Sequence, residues 1–384
     1  MVIFRNNREE GGEDQLALIT IREGRLESLK DNLAEGGGSM KKSLFSVLVG
    51  IFVVGSLSTA GLNGAQAADK VYNVKFSAYA PKNLFEGAYL PWVKAVESAT
   101  AGKLKFELFP YQQLMKAQAH LDGIRTGMAD CGTISTPYYP GRFPMAEIYF
   151  LPFTWNSGVE GARVLHKFAQ YKPIKDEFER NGVKCIVLEG SGPYSLASTR
   201  PVRTFEDMEG LQVRSFGTML GNMLKLCGSI PISLPMPDTY QALKAGMLSA
   251  CPSGLDTIYG HRMHEVAKYI TRFKGGSFTN AVMPIVWGLE SWNKLPKDIQ
   301  DTIIRVSEER YWVSEGWDAS EKKSMDLLQK EGAEIFYMPD EETRKFIEKA
   351  EPLGEQWVEA NKNNGPSRDV YNYFYSLLKQ QGIR

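Results

Sequence analysis

The feature that most constrains this chain is an alternation of strand-like and helix-like runs that appears once and then restarts. Residues 71–76 (Val-Tyr-Asn-Val-Lys-Phe) alternate in the period of a half-buried strand. A Pro-Lys-Asn loop at 81–83 follows, and then Tyr89, Trp92, Val93 and Val96 recur at helical spacing. Residues 103–109 read as a second strand. Leu114, Ala117, Leu121, Ile124 and Met128 fall on one face of a second helix, and 130–134 reads as a third strand. Strand–helix–strand–helix–strand order predicts an α/β layer with parallel strands joined by right-handed crossovers.

The pattern restarts at 183–188, an apolar strand, followed by 195–198 and 211–216. A helix is expected over 218–226. Asp238 is placed to N-cap another that carries Tyr240, Leu243 and Met247. Residues 281–289 read as a further strand. From 297 to about 331 a helical stretch carries Ile299, Ile303, Val306 and Val313; at 1.5 Å per residue it would span roughly 50 Å, enough to back two units at once. No repeat or low-complexity linker separates the two α/β units. The expectation is a two-lobed clamshell in which 68–191 with 280–319 forms one lobe and 192–279 with 320–384 the other.

Ahead of this lies an export-type segment. Lys41 and Lys42 precede an apolar run from Leu44 to Leu57, and Ala65-Gln66-Ala67 offers the small residues that a signal peptidase reads. Cleavage after Ala67 is expected. The run is short for a transmembrane anchor and is interrupted by Ser and Gly. Residues 1–39 are polar and sit before a second start at Met40, so they read as a non-native, disordered extension. Lys plus Arg equals Asp plus Glu at 45 each, which leaves no global field to attract nucleic acid. The four cysteines, Cys131, Cys185, Cys227 and Cys251, show no metal-type spacing with the four histidines. They read as small buried hydrophobes, with a disulfide left open. No nucleophile elbow, P-loop or dinucleotide fingerprint occurs.

The most informative stretch runs from Thr199 to Arg214 (T-R-P-V-R-T-F-E-D-M-E-G-L-Q-V-R). It continues through Gly228-Ser229-Ile230-Pro231 and Asp238-Thr239-Tyr240-Gln241-Ala242-Leu243-Lys244-Ala245-Gly246. Together with Gln113-Leu114, Gly127-Met128-Ala129-Asp130, Leu151-Pro152-Phe153 and Trp292-Asn293-Lys294-Leu295-Pro296, this ordered series resembles the periplasmic solute-binding subunits of the tripartite ATP-independent periplasmic (TRAP) transporters, the DctP-like family. The resemblance spans about Val71 to Lys379. It implies a periplasmic location, the periplasmic binding protein fold, and docking on a small and a large membrane subunit. It also implies no catalysis in this chain, and no cofactor or metal is expected.

The resemblance implies that Arg214, in the G-L-x-x-R strand, forms a salt bridge with a ligand carboxylate. A guanidinium suits that role because its planar paired donors match a carboxylate and it stays charged when buried. Two departures bear on the ligand. Tyr194 stands where sialic-acid binders carry a second arginine, and Ser253 stands where an Asn is frequent. Met236 occupies a place often aromatic. Tyr138 follows the third strand, Asn83 lies in the first loop and Gln113 follows the second strand; all are candidate rim or pocket residues. Such a pocket favours an aromatic or branched monocarboxylate, or a keto acid, over a sugar acid. His261 and His264 read as a solvated helix face, and Trp287, Trp292, Trp312 and Trp317 as core. The competing functions are a ligand sensor for a receptor kinase on the same fold and, behind it, a periplasmic enzyme.

Overall fold

The computed structural model describes residues 70–276 and 279–383. The expected extension over 1–39 and leader over 40–67 lie outside the described residues. Two mixed sheets form the framework. The first has five strands in the order β2-β1-β3-β10-β4 and the second has six in the order β11-β9-β5-β8-β6-β7.

β1 (Tyr72–Ser77) pairs in parallel with β2 (Leu104–Phe109) and β3 (Cys131–Thr133), as the strand–helix alternation predicts. β4 (Val183–Val187) closes the first sheet through β10 (Ile285–Gly288), which runs antiparallel to both of its neighbours. The second sheet contains β5 (Ser195–Ser198), β6 (Gln212–Ser215), β7 (Ile230–Ser233), β8 (Ala250–Ser253), β9 (Tyr269–Arg272) and β11 (Glu334–Tyr337). Within it β6 is parallel to β7 and β8, and β5 is antiparallel to β8 and β9. Antiparallel insertions of this kind arise because the chain crosses between the sheets more than once, between β4 and β5 and again between β9 and β10. The two crossings lie side by side: Ser191 N–H donates to Ala281 O (2.9 Å), Met283 N–H to Glu189 O (3.2 Å), and Gly190 bridges Val282.

Helices pack on both sheets. The longer ones are α1 (Leu90–Ala99), α2 (His120–Arg125), α3 (Gly158–Ala169), α4 (Lys172–Arg180), α5 (Gly217–Leu226), α6 (Thr239–Lys244) and α7 (Leu255–Gly260). After β10 come α8 (Lys297–Glu309) and α9 (Trp312–Lys330), and after β11 come α10 (Asp340–Ala350), α11 (Leu353–Asn361) and α12 (Ser367–Gln380). One core cluster belongs to the first sheet, built on Phe76, Trp92 and Trp287, and another to the second, built on Leu243, Ile258 and Ile270. A larger cluster joins residues of both, such as Val286 and Val213. The final helix, α12, packs on α3, with Phe374 and Phe168 ring centroids 5.0 Å apart.

Three expectations are corrected. The helix expected along 114–128 is only six residues of α-helix. Gly127, at φ +84, takes the left-handed position that ends it, so Met128 lies beyond the helix and is 52% exposed. Asp238 sits at the start of α6 but its side chain makes no capping bond, because the residue is already in helical conformation within a preceding 3-10 turn. The long stretch over 297–331 is two helices. Arg310 is extended (φ −161, ψ 172), the Trp312 indole donates to Val306 O (2.7 Å), and Ser314 N–H, in the first turn of α9, donates to the buried Glu189 carboxylate (2.7 Å). Side chains thus satisfy backbone groups that a continuous helix would have paired internally. α9 alone is 19 residues, about 28 Å, and it packs against elements of both sheets. Gly316 permits its close approach to 85–89: a Cβ there would lie 2.3 Å from Gly87 O.

Candidate functional site

The site is built from the carboxyl-terminal ends of strands and the crossings between the two sheets. β3 ends at Thr133, and the chain then carries Ser135 and, in a 3-10 turn, Tyr138. On the facing side β6 carries Arg214, followed by Phe216, and β8 leads through Gly254 into α7 with Asp256 and Thr257. The crossings bring Ser191, Tyr194, Ala281 and Met283, and α9 brings Trp317. These side chains line one cavity. Its surface is mainly apolar.

Arg214 is the centre of the arrangement. It is 2% exposed. Its Nε donates to Leu234 O (3.0 Å), its Nη2 donates to the Tyr138 hydroxyl (3.2 Å), and its face lies over the Phe216 ring, 4.9 Å from Cζ to centroid. Its Nη1 is buried with no hydrogen-bond partner. Among the described residues no carboxylate forms an ion pair with it. The neighbouring Cys251 thiol does not supply the missing charge, because burial pushes its pKa up to about 11. A buried guanidinium without an anion is costly, so a cavity lined by one is arranged for an anion.

Tyr138 is the second fixed point. Its hydroxyl accepts from Arg214 Nη2 and from Met236 N–H (3.0 Å), which holds the two sides of the cavity together. Tyr194 lines the cavity with its ring 6.5 Å from that of Phe216, and Met236 lines it as well. Of the seven residues singled out in the sequence, four therefore meet at one cavity: Arg214, Tyr138, Tyr194 and Met236. Three do not line it. Ser253 is fully buried within β8, paired in register with Ser195, and its Oγ has no partner. Asn83 stands behind the wall, where its Nδ2 donates to the Asp256 carbonyl (3.2 Å). Gln113 is exposed in the turn after β2, a turn formed by Tyr111 and Gln112 at positive φ (53 and 59).

Two ionisable residues were missed. Asp256 lines the cavity and is 3% exposed. Its Oδ1 accepts from Thr257 N–H (2.6 Å) and Oγ1 (3.1 Å). Burial, and after it the Glu321 carboxylate, raise its pKa to about 7. Glu321 in turn holds Leu255 N–H (2.6 Å) and Arg272 Nη1 (2.8 Å). The available signal was position, an acid three residues after the end of a strand, where ligand loops gather. His261 also lines the cavity, which corrects the expectation of a solvated helix face; both it and His264 are buried. Burial, with the Arg214 charge adding to it, lowers the His261 pKa to about 4, so the imidazole is neutral. Helix register places Ser314, Trp317, Asp318 and Glu321 on one face of α9, which ties Glu189, the start of α3 and the start of α7 to the cavity wall.

Two α/β layers with a cavity at their junction, lined by a buried cation without a counter-ion, are the architecture of a solute-binding protein. The chain belongs to the bacterial extracellular solute-binding protein family 7 (DctP), whose profile matches residues 76–361. A solute-binding protein of Albidiferax ferrireducens is 26% identical over 268 residues, covering 65% of this chain and 74% of the relative. A TRAP solute-binding protein crystal structure from Rhodoferax ferrireducens, in complex with copurified benzoate, superposes with a TM-score of 0.76 at 23% identity, covering 81% of this chain and 99% of that one. Another from Bordetella bronchiseptica, with bound (R)- and (S)-mandelate, gives a TM-score of 0.73 at 22% identity, covering 80% and 99%.

Proposed function

We propose that this protein is the periplasmic receptor of a TRAP transporter. It captures a small organic acid, holds the carboxylate on Arg214, and presents the solute to a small and a large membrane subunit. The observation that carries this reading is the buried Arg214 with its unpartnered Nη1 in the cavity wall. The apolar surround, supplied by residues such as Phe216, Met236, Met283 and Trp317, favours a monocarboxylate with one ring or a short branched chain. The benzoate and mandelate held by the two relatives are acids of that size. The lobes are the units built on the two sheets. They close on the solute across the crossings between β4 and β5 and between β9 and β10, and the closed outer surface is what the membrane subunits read. Export uses the segment over 40–67, and intact mass of the secreted form, starting at Ala68, tests it.

The decisive experiment is calorimetric titration of the secreted protein with a panel of monocarboxylates. Arg214→Ala is expected to weaken the best ligand by about 100-fold or more, the cost of leaving a carboxylate buried without its partner. Equal affinity in the variant would falsify the assignment. Conversion of the ligand on prolonged incubation would point to an enzyme instead.

A further inference from the structure

The cavity is ionisable in a second place that the carboxylate reading does not use. Asp256 and His261 lie in the same wall segment, on and just after α7. No described residue donates to Asp256 Oδ2, since both of its hydrogen bonds fall on Oδ1. Neither ring nitrogen of His261 is bonded to a described residue. The contrast with His264 is direct: three residues on, its Nε2 is held by Glu331 at 2.7 Å, outside the cavity. Asp256 also lacks a cation of its own. Arg272, the nearest basic partner of this acid pair, is bonded to Glu321. Beside Arg214 and the apolar side chains of the lining, the wall thus carries a buried carboxylate oxygen and a neutral imidazole with hydrogen-bonding capacity to spare. Buried polar atoms of this kind are satisfied by a partner.

We infer that Asp256 and His261 form a second recognition pole in the same cavity, which hydrogen-bonds a hydroxyl group that the solute carries in addition to its carboxylate. Resting on the proposed carboxylate anchor at Arg214, this narrows the ligand class to hydroxylated monocarboxylates. A neutral hydroxyl fits better than an ammonium, because the Arg214 charge that disfavours a proton on His261 also disfavours a second cation in the cavity. Asn83, through its bond to the Asp256 carbonyl, and Thr257, through its two bonds to Oδ1, hold the pole in place.

The test is calorimetric titration with matched pairs: benzoate against its three hydroxy isomers, phenylacetate against its hydroxy forms, and hexanoate against 6-hydroxyhexanoate and 6-aminohexanoate. In the wild-type protein at least one hydroxylated acid is expected to bind about 10-fold tighter than its parent, the size of one buried hydrogen bond. Asp256→Asn, which keeps the Oδ1 acceptor for Thr257, is expected to reduce that ratio to about threefold or less. His261→Phe is expected to reduce it as well. The inference is overturned if wild type binds parents and hydroxylated acids equally. It is also overturned if the amino acid exceeds the hydroxy acid, or if Asp256→Asn weakens both members of each pair alike. Loss of all acids in Arg214→Ala, with the preference intact in wild type, supports both readings. Retained binding in Arg214→Ala removes the anchor but leaves the hydroxyl preference measurable by itself. A wild-type protein that binds none of the acids removes both.

Discussion

The two walls of the cavity differ in kind. The wall from the first sheet and its crossings offers Tyr79, Leu84, Ser191, Ala281 and Met283, groups that give shape and carry no charge at neutral pH. The wall from the second sheet offers Arg214, Asp256 and His261. On the proposed reading one wall sets the size of the solute, while the other reads its charge and polarity. A charged group in a low-dielectric wall needs a set of fixed hydrogen-bonding neighbours. Here the residue after β7, together with α7 and α9, supplies them, through Leu234, Thr257 and Glu321.

Breaking the shape wall should have the largest effect on stability. Trp317→Ala removes a fully buried indole that packs edge-on to Tyr89, and a loss of about 3–5 kcal/mol in unfolding free energy is expected from urea melts. A loss under 1 kcal/mol would mean the wall is loosely packed.

The reading wall should show itself through pH. The Asp256 pKa is raised by burial and by Glu321 to about 7, so in the folded protein the neutral acid is preferred. Its contribution to stability is complete below the ordinary carboxylate range and is lost as pH rises through about 7. Between pH 5 and pH 8 the wild-type protein is expected to lose on the order of 1 kcal/mol or more from this group, and Asp256→Asn should flatten the loss. An unchanged slope in the variant would remove Asp256 from the account.

The smallest effect concerns the point where the walls meet. Tyr138 accepts from both Arg214 and Met236 N–H, so Tyr138→Phe leaves two donors short and should weaken acid binding about fivefold, near 1 kcal/mol, with little change in melting temperature. A large fall in melting temperature would instead make Tyr138 a structural post.

The legibility of the two walls differs as well. The strands of both sheets were visible as periodic runs, because alternation at 71–76 and the apolar run at 183–188 are local properties of the chain. Arg214, Tyr138, Tyr194 and Met236 were legible as candidates through the ordered motifs around them. Asp256 and His261 were not, because burial of an acid or a histidine is decided by what folds over it, here α9 and the segment around Asn83, far away in sequence. The break between α8 and α9 was hidden for the same reason. No Gly or Pro marks it, and the groups that stabilise it, Glu189 and the Trp312 indole, act through tertiary contacts.

The position of Trp317 has an optical consequence. Its indole N–H is buried and unpartnered, its ring forms part of the cavity surface, and the six other tryptophans of the chain lie outside that lining. Entry of a solute replaces water or empty space against one face of a single fluorophore. Its emission should then change in wavelength or yield while the other six stay constant. Occupancy of the cavity would become a signal readable without a label, and in Trp317→Phe the signal should vanish even where the solute still binds.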